Sequence, residues 1–391
     1  MTRAQPSADP GAVSLTAGDA ARLALDRVRQ AGAHSADVAV VEGTSIEARV
    51  RGEEIDFVKQ ARERTLGLRA FVRRRGGLSC AITSSSDLSP ASIDRLASET
   101  VALARATAPD PHAGLPEDGL ADALPDLALF DPADRGAEVQ DRIAQARAAE
   151  RGARAVDPRI TRSEGSEAGS AFHRVAYAST AGFAGAYESA AHFLVSTPIA
   201  AENGAMQSDS WMSVARSLAA LEAPEAVGRR AAERALGQLG ARRVRTNEVP
   251  VIFDARSARS LLANLVACLS GYAVYRGSSF LANRLGERIA SANVTVIDDG
   301  RLPGGLGSRP FDGEGQATRR NRVIEGGRLE TWLLDVYSAR KLGMASTGNA
   351  SRSPGSGPGA GPTNFWLEPG DASLAQMIAD TPRGLLVTGL F

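Results

Sequence analysis

The chain has 391 residues, 43% of them hydrophobic and 23% charged, which are the proportions of a folded globular protein with room for two or three domains. Its 45 Lys and Arg balance 45 Asp and Glu, which excludes a chain-wide electrostatic footprint for nucleic acid. It has no apolar run long enough to span a membrane, no apolar core in its polar N-terminus, and only two cysteines, Cys80 and Cys268, so a cytoplasmic protein without disulfides or a membrane span is expected.

Residues 1–14 read as disordered. Positions 17–31 then place Ala20, Leu23, Ala24 and Val28 on one helical face. Short strand patterns follow at 36–42, 45–51, 55–59, 65–73 and 78–83. Gly43, Gly52 and Gly76-Gly77 punctuate them, which predicts an antiparallel meander. Ser89-Pro90 opens a helix reaching residue 106, with Ser as N-cap and Pro in the first helical position. The Pro- and Asp-rich stretch 109–134 reads as a linker. A second helix at 137–153 leads to strands at 174–180, 183–196, 199–203 and 207–216, and a third helix covers 224–239. Helix and meander therefore occur twice, which points to an internal structural repeat.

Beyond Arg245 the texture changes. A short strand at 249–253 precedes a helix at 258–269. Strand signals follow at 294–297, 322–324 and 331–334, and a Gly-, Ser- and Pro-rich loop occupies 347–362. Segregated helices and strands predict an α+β fold. The expected division is an N-terminal helix and antiparallel-sheet domain at 15–108, a middle α+β domain at 135–245 and a β-rich C-terminal domain at 246–391. The run from 384 to Gly389-Leu390-Phe391 reads as an unfinished strand, so the last domain is expected to be truncated.

The common catalytic arrangements are missing from the sequence. The four histidines, His34, His112, His173 and His192, include no pair at the spacing of H-E-x-x-H, and there is no C-x-x-C or G-x-S-x-G. His173 and His192 fall where neighbouring strands would bring them near each other, but with no third ligand. Asp298-Asp299-Gly300 reads as a turn closing a strand rather than a carboxylate pair. Glu287 beside Arg288 fits an ion pair as well as an acid–base role. The glycines at 355–361 lack the G-K-[ST] ending of a phosphate loop, and the interspersed prolines donate no N–H. The residues alone favour a binding or structural subunit.

Several segments, in order, resemble the TldD/PmbA family. The block at 277–300, GSSFLANRLGERIASANVTVIDDG, looks like the family's signature. GSRPFDGEG at 307–315, EGGRLETWLLD at 325–335, SARKLGMASTGN at 338–349 and GPTNFWLEPG at 361–370 resemble further family segments. In that family the TldD-type subunit carries H-E-x-x-x-H on a helix upstream of the Gly-Ser-Ser block. Two such histidines can hold zinc while the carboxylate activates water. The corresponding window here is Leu262, Ala263, Asn264, Leu265, Val266 and Ala267, which offers none of those groups.

The resemblance is closer to the TldE/PmbA branch, which lacks the motif in the same way. It implies a subunit without a cofactor of its own, whose TldD-type metallopeptidase partner carries zinc and with which it cleaves unfolded peptides. Gly277, Ser278, Ser279, Thr347, Gly348 and Asn349 are the candidates for facing an enclosed chamber, with ordinary turns as the alternative. Two other readings stay open: a stand-alone homodimeric binding or modulator protein, and an enzyme with an unfamiliar site. Family members continue past the equivalent of Phe391 with Gly-rich strands, so the resemblance also implies an incomplete last domain.

Overall fold

The computed structural model describes residues 15–136 and 138–390; the disorder expected at 1–14 lies outside them. Helix α1 (Ala17–Gln30) starts where the Thr16 hydroxyl accepts from the Asp19 N–H, an N-cap that satisfies one of the orphan donors of the first turn. Three long strands follow: β1 (Ser35–Arg51), β2 (Glu54–Arg74) and β3 (Gly77–Ser85). Helix α2 (Pro90–Ala106) closes the first unit, capped by Ser89 with Pro90 in its first turn. After a 3-10 turn at Pro132–Gly136, the second unit repeats the plan with α3 (Val139–Arg154), β4 (Ile160–Ser179), β5 (Ala184–Glu202), β6 (Ala205–Ser208), β7 (Trp211–Ala215) and α4 (Pro224–Gly237).

The two units share one seven-stranded sheet in the order β3-β2-β1-β4-β5-β6, with β7 also on β5. At its centre β1 runs antiparallel to β4 from Asp37↔Ser179 to Val50↔Ser166, so the units meet in an approximate two-fold arrangement. The expected repeat is thus a structural one. The expected break at Gly43 is absent. Gly43 pairs with both Glu63 and His173, because a flanking strand on each side holds the backbone extended.

All four helices lie on one face. Even-numbered positions of β1 (Val38, Val40) join α1 and α2 in one core, and Ala48 and Val50 join α3 in another. A one-residue slip would send these side chains to the opposite face. That opposite face carries Asp37, Ala39, Gly67, Arg69 and Tyr177, and the C-terminal part of the chain packs against it.

The C-terminal part begins with β8 (Val251–Phe253), α5 (Ala255–Leu269) and α6 (Gly271–Tyr275). A four-stranded sheet orders β11 (Arg328–Leu329), β10 (Arg320–Glu325), β9 (Val296–Asp299) and β14 (Asn364–Leu367). Helix α7 (Val336–Leu342) is capped by Asp335. A hairpin of β12 (Ala350–Ser351) and β13 (Gly359–Ala360) rises from the stretch read as a loop. Helix α8 (Leu374–Ala379) precedes β15 (Leu385–Val387), which pairs parallel with β8. The strand expected at 331–334 is a single bridge, Ser270 to Leu333, where Leu333 and Leu334 plug a separate core of the C-terminal part beside Leu269 and Trp332. Residues 109–134, read as a linker, are stitched to both parts: the Leu129 carbonyl accepts from Ala190 N–H, Leu127 from Gly304, and Gly315 accepts from Ala121. The mixture of helices and antiparallel sheets is the expected α+β fold.

Candidate functional site

Helix α5 and the turn after α6 hold the positions singled out in the sequence. Asp254 caps α5 by accepting from the Ser257 N–H. The helix is mostly apolar on its C-terminal half, yet it buries only Ser257 and Leu269. Leu262, Ala263 and Ala267 therefore lie on a largely uncovered helix, and Leu261 is 48% exposed. Alkyl side chains and the Asn264 amide are not a donor set for zinc. Among the described residues, no group of three His, Cys, Asp or Glu side chains is placed to hold a metal ion.

Gly277 ends α6 in the left-handed region at φ 67°, with its N–H on the Val274 carbonyl. Ser278 donates its hydroxyl to the Ala273 carbonyl, and Gly277 and Ser278 are exposed. Ser279 is buried, its hydroxyl donating to the Cys268 carbonyl at 2.6 Å. The second trio is buried more deeply. Asn349, with no exposure, donates to Asp298 at 2.7 Å and to the Gly361 carbonyl, and accepts from Asn321 and Thr347. Gly348 has φ 72°, and a Cβ there would stand 2.7 Å from the Ala317 carbonyl oxygen. Among the described residues, no hydrogen bond or ion pair links the two trios. Asp298 and Asp299 end β9, and Asp298 accepts from the Thr363 N–H and hydroxyl. Glu287 pairs with Arg284 at 2.9 Å, not with Arg288.

The largest concentration of buried charge was not legible in the sequence. It lies where the C-terminal part meets the sheet. Asp37 on β1 takes Arg69 of β2 on one oxygen at 2.5 Å, the Tyr177 hydroxyl of β4 on the same oxygen, and Arg352 on the other at 2.5 Å. Arg69 also reaches Glu314 at 3.3 Å, and Glu314 caps α7 by accepting from the Val336 N–H. Burial alone would raise the Asp37 carboxyl; the Arg69 and then Arg352 charges more than offset it and hold it below its ordinary value. Glu314 goes the other way. Burial, only partly opposed by Arg69 and reinforced by Asp312 and Asp335, pushes it up to about 7.

Between about pH 4.5 and 7, the folded chain therefore binds a proton at Glu314 that the unfolded chain has released. The Glu314 contribution to stability therefore falls as pH rises through that window. In urea titrations, Glu314→Gln is expected to flatten this part of the stability profile. An unchanged profile would contradict the assignment.

The histidines do not meet. His192 lies opposite Ser170 and His173 opposite Ser189, an odd offset that sends the two rings to opposite faces. His192 is fully buried; Nδ1 is 2.8 Å from the Ser170 hydroxyl, and Nε2 is 3.2 Å from Asp134. The serine, histidine and acid resemble a hydrolytic triad in composition only. Ser170 also takes the Arg142 guanidinium, Asp134 accepts from the Leu218 N–H, and all three side chains are buried. They staple the turn at Pro132–Gly136 to the sheet. Burial lowers the His192 pKa, with Asp134 only partly opposing. Its contribution to stability is complete above the ordinary histidine value of 6.5 and is lost as pH falls below it toward the folded value. His192→Gln should remove that acid-side loss in the same titrations, and a loss persisting in the variant would refute this account.

An open cleft of about 440 Å³ lies over the middle of the sheet. Its floor carries the cross-strand row Arg64, Glu42, Arg174 and Glu188. Phe130 and Arg135 of the connecting segment also line it.

Residues 36–104 match PmbA/TldA metallopeptidase domain 1, 133–239 the central domain, and 246–391 the C-terminal domain. The chain is 37% identical to the metalloprotease PmbA of Escherichia coli over 91% of its own length and 76% of that protein's. It is 31% identical to the PmbA homolog of Haemophilus influenzae over 94% and 79%. A crystal structure described as a modulator of DNA gyrase, from Bacteroides thetaiotaomicron, superposes with a TM-score of 0.85 at 27% identity, covering 95% of this chain and 81% of that one. TldE of Thermococcus kodakarensis shares the fold with a TM-score of 0.83 at 24% identity, covering 95% and 82%.

Proposed function

Because this chain belongs to the PmbA/TldD metallopeptidase family, we propose that it is the subunit of a two-subunit cytoplasmic peptidase that does not bind the metal. The observation that carries this reading is the chemistry of α5. Where the TldD-type sequence has two histidines and a glutamate, α5 has Leu262, Ala263, Asn264, Leu265, Val266 and Ala267, which can neither ligate zinc nor move a proton. Zinc and its bound water would be the partner's contribution, and the substrate would be unfolded peptide.

What this chain offers is surface. Leu261, Tyr272 and Phe280 on and after α5 and α6 are 48%, 55% and 68% exposed. Large apolar side chains left uncovered over neighbouring elements are the kind of surface a protein partner buries. In this reading Gly277 and Ser278, exposed at the end of α6, face the shared chamber. Ser279, Thr347, Gly348 and Asn349 hold the walls in shape. No helix among the described residues is long and apolar enough to cross a membrane.

The test is co-expression with a TldD-type partner from the same organism. Zinc content and cleavage of an unfolded peptide are measured for each chain alone and for the pair. The expected result is a stable pair that is active, with zinc on the partner and neither zinc nor turnover in this chain alone. Stoichiometric zinc or turnover in this chain alone would overturn the proposal. Failure to associate would favour the stand-alone modulator reading.

A further inference from the structure

A cavity of about 80 Å³ lies between the outer face of the sheet and the C-terminal part, lined by Val41, Tyr177, Tyr187, Arg309, Phe311 and Arg352 among others. A single water needs only about 10–15 Å³ of such space, so the cavity admits a larger occupant. Two arginines reach it with N–H groups unspent. Arg352 is 2% exposed at the side chain and gives one nitrogen to Asp37, yet its Nε and second terminal nitrogen have no acceptor. Arg309 likewise has a buried Nε and one buried terminal nitrogen without an acceptor. Buried donors left unpaired are rare, and those carrying charge are the costliest.

The acids nearby do not relieve them. Asp37 is committed to Arg69, Tyr177 and one nitrogen of Arg352. Asp312, which also lines the cavity, spends one oxygen on the Glu314 and Gln316 N–H groups and the other on Ala350. Glu314 is taken by Arg69 and the Val336 N–H.

We propose that this cavity binds a small free oxyanion of carboxylate or phosphate size, gripped by the Arg309 and Arg352 guanidinium groups. The planar forks of arginine match such oxyanions bidentately. Water would satisfy single donors, whereas one oxyanion can accept from the unspent N–H groups of both guanidinium forks at once. Because Arg352 rises from the β12–β13 hairpin, Arg309 from the 307–315 segment, and Tyr177 and Val41 from the sheet, a bound anion ties the C-terminal part to the sheet. The site lies apart from α5 and stands whether or not the chain is a peptidase subunit.

The experiment titrates the full chain with inorganic phosphate and, separately, with acetate, by calorimetry and by thermal unfolding. Potassium chloride at matched ionic strength is the reference. The expected result is a saturable heat at one site per chain and a saturable rise in Tm for at least one of the two anions. Which one responds separates a phosphate site from a carboxylate site. Both signals should fall at least tenfold in apparent affinity in Arg309→Gln, a variant expected to fold because Arg309 donates no side-chain hydrogen bond to any described residue. Phosphate also stabilises proteins generally by exclusion from their surface, but that effect does not saturate and would persist in the variant. The absence of saturable heat with either anion in the wild-type chain would mean ordered water only, and an equal response in Arg309→Gln would mean that the anion binds elsewhere; either result would overturn the proposal.

Discussion

Asp37→Asn is expected to cost about 3–5 kcal/mol of folding stability, the range for removing one partner from a buried ion pair. The magnitude follows from what the carboxylate does. It is fully buried, and both its oxygens face guanidinium groups, Arg69 on one side and Arg352 on the other. An amide keeps the volume but leaves two cations in the interior with only Glu314 between them, and Glu314 is half neutral near pH 7. Urea unfolding of the two chains gives the difference directly. A cycle with Arg352→Met isolates the pair, because the double variant should recover part of the loss once the orphaned cation is gone. A loss below about 1 kcal/mol for Asp37→Asn would place the pair among exposed ion pairs and refute its role as the junction's anchor.

Gly67→Ala is expected to be the second most damaging change, although it adds a single carbon. Gly67 lies on β2 opposite Ala39, on the face that receives the C-terminal part. A Cβ there would stand 1.6 Å from the Pro354 carbonyl oxygen and 2.4 Å from its carbon. These are backbone atoms of the stretch between β12 and β13, so no side chain can swing aside. The stretch must lift from the sheet, pulling on Arg352 two residues away. Overpacking of this kind costs about 1–3 kcal/mol and sometimes more. The damage should be local as well as global. Limited proteolysis is expected to cut near Pro354 in the variant at concentrations of protease that leave the parent intact. A variant as resistant as the parent would show that the hairpin does not depend on this contact.

Much of the fold was legible because its signals are local. Ser89-Pro90 marks a helix start that the structure reproduces, because capping is decided by the immediate neighbours, and the helices read from 17 and 224 begin at Ala17 and Pro224. The strands were cut too short for the opposite reason. The first half of β4 reads as polar and small, with Gly165 and Gly169, because its neighbours fill the space: the Phe193 ring stands 2.3 Å from where a Gly169 Cβ would be. Nothing within the strand announces that. The resemblance to the TldD/PmbA family was legible because its motifs are contiguous runs, and GSRPFDGEG at 307–315 turns out to supply Arg309, Asp312 and Glu314 to the junction. The junction itself was not legible. Asp37 and Arg352 are 315 positions apart, and a lone acid in a strand carries no mark of the partner it will meet.

The central pairing of the sheet also sets a schedule for synthesis. Partners on β1 and β4 such as Asp37 and Tyr177 are 140 residues apart. At about 5–20 residues per second, a ribosome needs roughly 7–28 s to add that length. For the part of that interval that follows the synthesis of β3, the nascent β1–β2–β3 sheet presents β1, a 17-residue strand, as an open edge with unpaired backbone groups along it. Such an edge is a template for pairing with another chain. The long strands that give the finished sheet its span therefore leave the emerging chain dependent on slow, distant closure, and its yield in cells should be sensitive to whatever shields that edge until β4 arrives.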